Sequence, residues 1–115
     1  MKGAYVLYVE LKKDQKVKIG KLRKINFSAG TYAYIGSAMN SLEKRIERHK
    51  RQNKKLHWHI DYLLKYGKIT AVKTIESETK NECEVAKKFW KYSSIKNFGS
   101  SDCKCKSHLF FINGS

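Results

Sequence analysis

The run "AYVLYVEL" (Ala4 to Leu11) constrains the fold of this chain more than any other stretch. Its β-branched and aromatic residues favour a strand, and apolar side chains occupy both alternating sets of positions. A strand of that kind is buried and needs cover on both faces. The rest of the chain must supply that cover, and 115 residues suffice for one core but not comfortably for two.

A turn at Asp14-Gln15 leads to a second strand, from about Lys16 to Leu22. "INFSAG" reads as a loop ending at Gly30, and "TYAYIG" as a third strand punctuated by Gly36. Asn40 or Ser41 then caps a helix on which Leu42, Arg45, Ile46 and His49 share one face. The basic stretch "KRQNKK" joins it to a second helix within "LHWHIDYLLKYG", where Gly67 suits the position after the helix end. "KITAVKTIE" is a fourth strand, "TKNECEVAKKFWKY" a third helix and "SHLFFI" a last strand. The order is an α+β fold, a small mainly antiparallel sheet flanked by about three helices. A single domain is expected over 1–113, with 114–115 a loose tail left from cloning.

The formal net charge is +15, with 25 Lys and Arg against 10 Asp and Glu. Such an excess points to a polyanionic partner, DNA or RNA, through release of counterions from phosphates. No apolar stretch approaches a membrane span, and the first residues lack the apolar run of a signal peptide. These features favour a cytoplasmic protein with reduced cysteines.

Four short motifs occur in order, "GAYVLYV", "YAYIG", "SAMNSLEKRIERH" and "NECEVAKKFW", with "HWHIDYL" and "FGSSDCKCKSHLF" as further marks of one branch. Together they resemble the GIY-YIG nuclease superfamily, with Ala4 where the first motif usually has isoleucine. The match over nearly the whole chain is closest to a mostly archaeal branch long catalogued as a domain of unknown function. That branch is sometimes fused to a DNA-repair glycosylase, so a repair protein is an implied partner. The resemblance implies hydrolysis of phosphodiester bonds in DNA by one Mg²⁺ or Mn²⁺ ion held on a glutamate. It assigns the water to Tyr5 and Tyr34, the phosphate to Arg45, and a place on the same helix to His49. Which tyrosine is the base stays open. Of the two glutamates on the third helix, Glu82 falls with Val85, Ala86 and Phe89 on the inward face, so Glu82 is the expected metal ligand; Glu84 falls on the lysine-rich wet face.

Several residues lie around that set. Arg48, Lys50, Arg51, Lys54 and Lys55 are placed to track a nucleic-acid backbone, with Arg48 a second choice for the phosphate itself. His57, His59 and Asp61 are expected to cap or to support the site, with Asp61 orienting a cation. Cys83, Cys103, Cys105 and His108 have the ligand types of a structural zinc site, although C-x-C is tighter than the usual spacing. The superfamily's usual ending, a proline and a distal asparagine, is missing, and Asn97 is its only match. The competing reading is a nucleic-acid-binding module, for DNA or RNA, that keeps the fold without catalysis.

Overall fold

The computed structural model describes residues 1–52, 54–100 and 105–114. Among these residues the elements are β1 (Gly3–Leu11), β2 (Gln15–Ile19), β3 (Arg23–Phe27), β4 (Gly30–Ala38), α1 (Leu42–Lys50), α2 (His59–Leu63), β5 (Lys68–Glu76), α3 (Glu82–Lys87), β6 (Ser93–Ser94) and β7 (Leu109–Gly114). The architecture is α+β. A five-stranded antiparallel sheet runs β5-β1-β4-β7-β6, and β2 and β3 form a separate hairpin.

The β1 run lies between β4 and β5, and its alternation divides the core in two. Tyr5, Leu7, Val9 and Leu11 face one side, packed with Leu42 of α1, Ile60 and Leu63 of α2, and Val17, Ile19, Ile25 and Phe27 of the hairpin. Ala4 and Val6 face the other, against Val85 and Ala86 of α3, Ile35 of β4 and Phe110 of β7. Each buried side chain of Leu or Ile size stabilises the fold by roughly 1.5–3 kcal/mol. The helices therefore sit where the alternating apolar sets require them.

Three expectations are corrected. "INFSAG" is not simply a loop, because Arg23–Phe27 pairs with Gln15–Ile19 and places Ile25 and Phe27 in the core. The turn of that hairpin is at Gly20, whose φ of 47° lies in the left-handed region. The second helix is short and begins after Trp58, so His57 precedes it. It is capped by Leu64; the Gly67 N–H donates to the Leu63 carbonyl at 3.0 Å, as a residue after the helix end does, and Gly67 also packs closely against Val9. The third helix ends at Lys87, well before Tyr92. No helix among the described residues is long and apolar enough to cross a membrane.

β4 does not stop at Gly36 but continues to Ala38. Gly36 stands opposite Tyr5 of β1, and a Cβ at this position would run into the Tyr5 ring and hydroxyl. The glycine is there to admit the ring across the strand. Gly36→Ala is therefore expected to cost about 1–3 kcal/mol by overpacking. Urea denaturation would measure that loss, and a change in tyrosine fluorescence would report the displaced ring; an unchanged midpoint would refute the steric account.

Candidate active site

Tyr34 of β4 lies opposite Leu7, so Tyr5 and Tyr34 are diagonal neighbours on one face of the sheet, with ring centroids 6.5 Å apart. Both rings are buried. α1 crosses this face, begun by Ser41, whose hydroxyl accepts the Lys44 N–H at 3.2 Å. Its spacing brings Arg45 and His49 over the tyrosines. The Tyr5 hydroxyl lies 2.7 Å from His49 Nε2, and the Tyr34 ring meets the same imidazole edge-on at 6.2 Å. Arg45 donates to the Ser37 carbonyl at 2.8 Å and stacks over Trp58, 4.4 Å from the ring centre.

Apart from His49, which lines a second cleft beyond α1, these residues wall a cleft of about 410 Å³. Tyr5, Tyr34, Arg45, Trp58, Lys80 and Glu82 line it, with His57 and His59 at its side. Glu82 and Glu84 separate here. Glu82 faces the cleft with its side chain 16% exposed, whereas Glu84 pairs with Lys87 at 3.2 Å on the surface. Glu82 Oε1 is 3.6 Å from Lys80 Nζ, and Oε2 is 3.8 Å from His108 Nδ1. Neither contact is a short hydrogen bond, and Glu82 is the carboxylate that lines the cleft among the described residues. Glu82 thus offers one carboxylate in a water-accessible cleft, the sparse protein donor set that a Mg²⁺ or Mn²⁺ ion would take while keeping its waters.

Asp61 stands behind the cleft, fully buried, and organises its edge. Its carboxylate accepts both Arg48 guanidinium nitrogens at 3.1 Å, and the backbone N–H groups of His57 and Trp58 at 2.8 and 2.9 Å. Burial pushes the Asp61 carboxyl up, but Arg48 and the two backbone donors outweigh it and hold it below its ordinary value. Arg48 also donates to the Lys55 carbonyl and rests over Trp58 at 4.3 Å. Its charge is thus directed at Asp61, while Arg45 of the same helix lines the cleft. Trp58, clasped by both arginines, was missed as a site residue. Its signal was the flanking His57 and His59 in a segment too polar for an ordinary core helix.

The remaining expected residues divide. His59 Nδ1 accepts the Gly99 N–H at 2.9 Å, tying α2 to the segment before β7. Lys50, Arg51 and Lys54 line a second, larger cleft of about 730 Å³ beside the C-terminal end of α1, together with Lys65 and Lys68. Lys54 donates to the carbonyls of His49 and Arg51, and Lys55 is exposed nearby. Asn97 adopts a φ of 64° in a turn and does not line the first cleft. Cys83, Cys105 and His108 converge as a group that could hold a metal ion, their ligand atoms within 4.8 Å of one another. Cys103 lies outside the described residues.

Burial opposes ionisation throughout the site. It raises the Tyr5 hydroxyl to about 12, with Arg45 pulling back, and raises Tyr34 well above its ordinary value. It lowers His49 to about 4; Asp61 opposes this, and Lys54, Arg45 and Arg48 add to it. Tyr5 is thus neutral at pH 7, and so is His49, which can accept the Tyr5 proton in the 2.7 Å hydrogen bond.

A family model described as a domain of unknown function, DUF123, matches residues 4–115. No curated protein and no solved structure matches the chain at a significant level.

The neutral His49 has a consequence for stability. The unfolded chain takes up a proton near pH 6.5, whereas the folded one resists until about pH 4. Stability should be full above about pH 6.5 and fall as the pH drops toward 4, by up to about 2 kcal/mol between pH 7 and 5. Denaturation midpoints across that range should show the decline. His49→Gln should flatten most of it, leaving a residual slope from His59, which burial also lowers.

Proposed function

The chain belongs to the domain of unknown function family DUF123, and from that footing we propose that it is a metal-dependent endonuclease of the GIY-YIG type acting on DNA. The observation that carries the reading is the cleft itself. Residues from β1, β4, α1 and α3, far apart in sequence, meet there as two tyrosines, an arginine and a carboxylate. Hydrolysis of a phosphodiester needs a directed water, charge stabilisation at phosphorus and help for the leaving oxygen.

Arg45 takes the scissile phosphate, since its forked donors match two phosphate oxygens and it already reaches the cleft wall. Lys80 adds positive charge on the side of Glu82. Glu82 would hold the Mg²⁺ or Mn²⁺ ion, which when bound would supply Lewis-acid stabilisation of developing negative charge on oxygen. Tyr5 and Tyr34 direct the water, and His49 orients Tyr5 through the 2.7 Å hydrogen bond. The lysines and arginine following α1 meet the nucleic-acid backbone beyond the cut. Structured or damaged DNA and work beside a repair protein, in the cytoplasm of an archaeal cell, complete the proposal.

The test is a panel of labelled duplex, flap, branched and single-stranded DNA and RNA incubated with Mg²⁺, Mn²⁺ or EDTA. Arg45→Ala and Glu82→Gln should each slow metal-dependent nicking by about a hundredfold or more. Binding in EDTA should survive the Glu82 change. Wild-type cutting by both variants would sink the assignment, and salt-dependent binding with no cutting of any substrate would favour the non-catalytic module. Replacing Lys50, Arg51 and Lys55 by Gln should also weaken binding across all sequences. The slope of log affinity against log salt should shallow by up to about 1 for each phosphate left unneutralised by the change.

A further inference from the structure

Beside Glu82, three side chains of metal-binding type come together. Cys83 follows Glu82 at the start of α3, Cys105 precedes β7, and His108 stands at the entry to β7. We propose that Cys83, Cys105 and His108 hold a zinc ion, and that the bound ion fixes the imidazole that steadies Glu82.

The spacing is close to what such an ion needs. Thiolate and imidazole ligands about 2.0–2.3 Å from one zinc stand roughly 3.3–3.8 Å apart in a tetrahedron. Cys83 Sγ is 3.8 Å from His108 Nε2, and all three ligand atoms lie within 4.8 Å of one another. Small rotations of two short side chains close the remaining gap. The donor set, soft sulfur with imidazole, selects zinc over the hard, oxygen-seeking Mg²⁺ of the cleft. Three protein ligands leave one tetrahedral position for water or a further donor.

The histidine is held in place before any ion arrives. It is 1% exposed, its backbone N–H donates to the Phe98 carbonyl at 2.8 Å, and its carbonyl accepts the Ile35 N–H at 2.9 Å. The backbone therefore fixes His108 between β4 and the segment after β6. Its two ring nitrogens face different partners, Nε2 toward Cys83 and Nδ1 toward Glu82 Oε2 at 3.8 Å. Ligation through Nε2 requires the ring hydrogen to sit on Nδ1, the nitrogen 3.8 Å from Glu82 Oε2, a gap that the carboxylate must close to accept it. A carboxylate behind a zinc-bound histidine is a recurrent arrangement that orients the ring and strengthens its basicity. Here the same carboxylate lines the cleft, so zinc loading would order Glu82 through one side chain.

Metal content decides this without any nucleic acid, so its failure is distinct from failure of the nuclease reading. The chain purified under reducing conditions without chelators should carry about one zinc by elemental analysis. Cys83→Ser and His108→Ala should each lose most of it. The zinc-free wild type refilled with Co²⁺ should show thiolate-to-cobalt charge-transfer absorption and tetrahedral d–d bands, with the former weakened in Cys105→Ser. Should the variants fail to fold, the cobalt spectrum of the wild type decides alone. Glu82→Gln should keep the ion but weaken affinity by about 10–100-fold in competition with a chelator. A wild-type chain with neither zinc nor a cobalt charge-transfer band overturns the site; unchanged zinc affinity in Glu82→Gln overturns its coupling to the cleft.

Discussion

The Tyr5 ring lies across Gly36 on the neighbouring strand, and the arrangement of the cleft depends on the side chain that Gly36 lacks. With a Cβ there, the far end of the ring would have to shift, and its hydroxyl with it, away from the 2.7 Å contact with His49. His49 in turn is the residue through which α1 touches both tyrosines. The register of β1 on β4 therefore fixes α1 over the sheet, and α1 carries Arg45 to the cleft wall. Packing and site geometry are set by the same interaction.

A second constraint comes from charge. In a chain of net charge +15, an arginine-rich helix would repel its own surroundings. Asp61 answers this where it matters, with its side chain wholly buried and four donors on one carboxylate. Removing one partner of such a pair leaves the other as an uncompensated buried charge, at a cost of several kcal/mol. The pair also has a local effect. It closes the N-terminus of a helix too short to be stable alone and sets Trp58 under both Arg45 and Arg48. Arg45 and Arg48 share a helix, but one faces a cleft that can admit an anion and the other an anion already fixed in place.

Much of the fold is legible in the sequence because alternation in a buried strand is a strong signal. Val6 and Leu7 face opposite layers, and both layers are apolar along β1. The hairpin escapes such a reading because "KIGKLRKI" lacks the Asn-Gly or Asp-Gly pair that marks a tight turn, although Val17, Ile19, Ile25 and Phe27 do alternate with charged or polar residues. α2 reads as too long because its apolar stripe continues past Leu63, where the chain goes on in turns closed by Tyr66 and Gly67 N–H bonds to the Leu63 carbonyl. At the site, residue types and order point to the cleft, since motif residues are carried by the elements that meet there. The Arg48–Asp61 pair and the approach of Glu82 to His108 join residues 13 and 26 positions apart, and neither periodicity nor spacing encodes them.

The protonation states in the cleft limit how its tyrosines can act. Burial opposes moving the Tyr5 proton to His49 in the free protein, because it raises the tyrosine to about 12 and lowers the histidine to about 4. Burial also raises Tyr34 well above its ordinary value. Among the nearby side chains, Arg45 alone lowers both, and its effect is outweighed by burial. A tyrosinate therefore requires added positive charge at Glu82, or a water that gives up its proton elsewhere. Until that charge arrives, the two hydroxyls are neutral hydrogen-bonding groups of fixed position. In the proposed reaction their first contribution is to orient the water, and any role as base is conditional on the metal that Glu82 would hold.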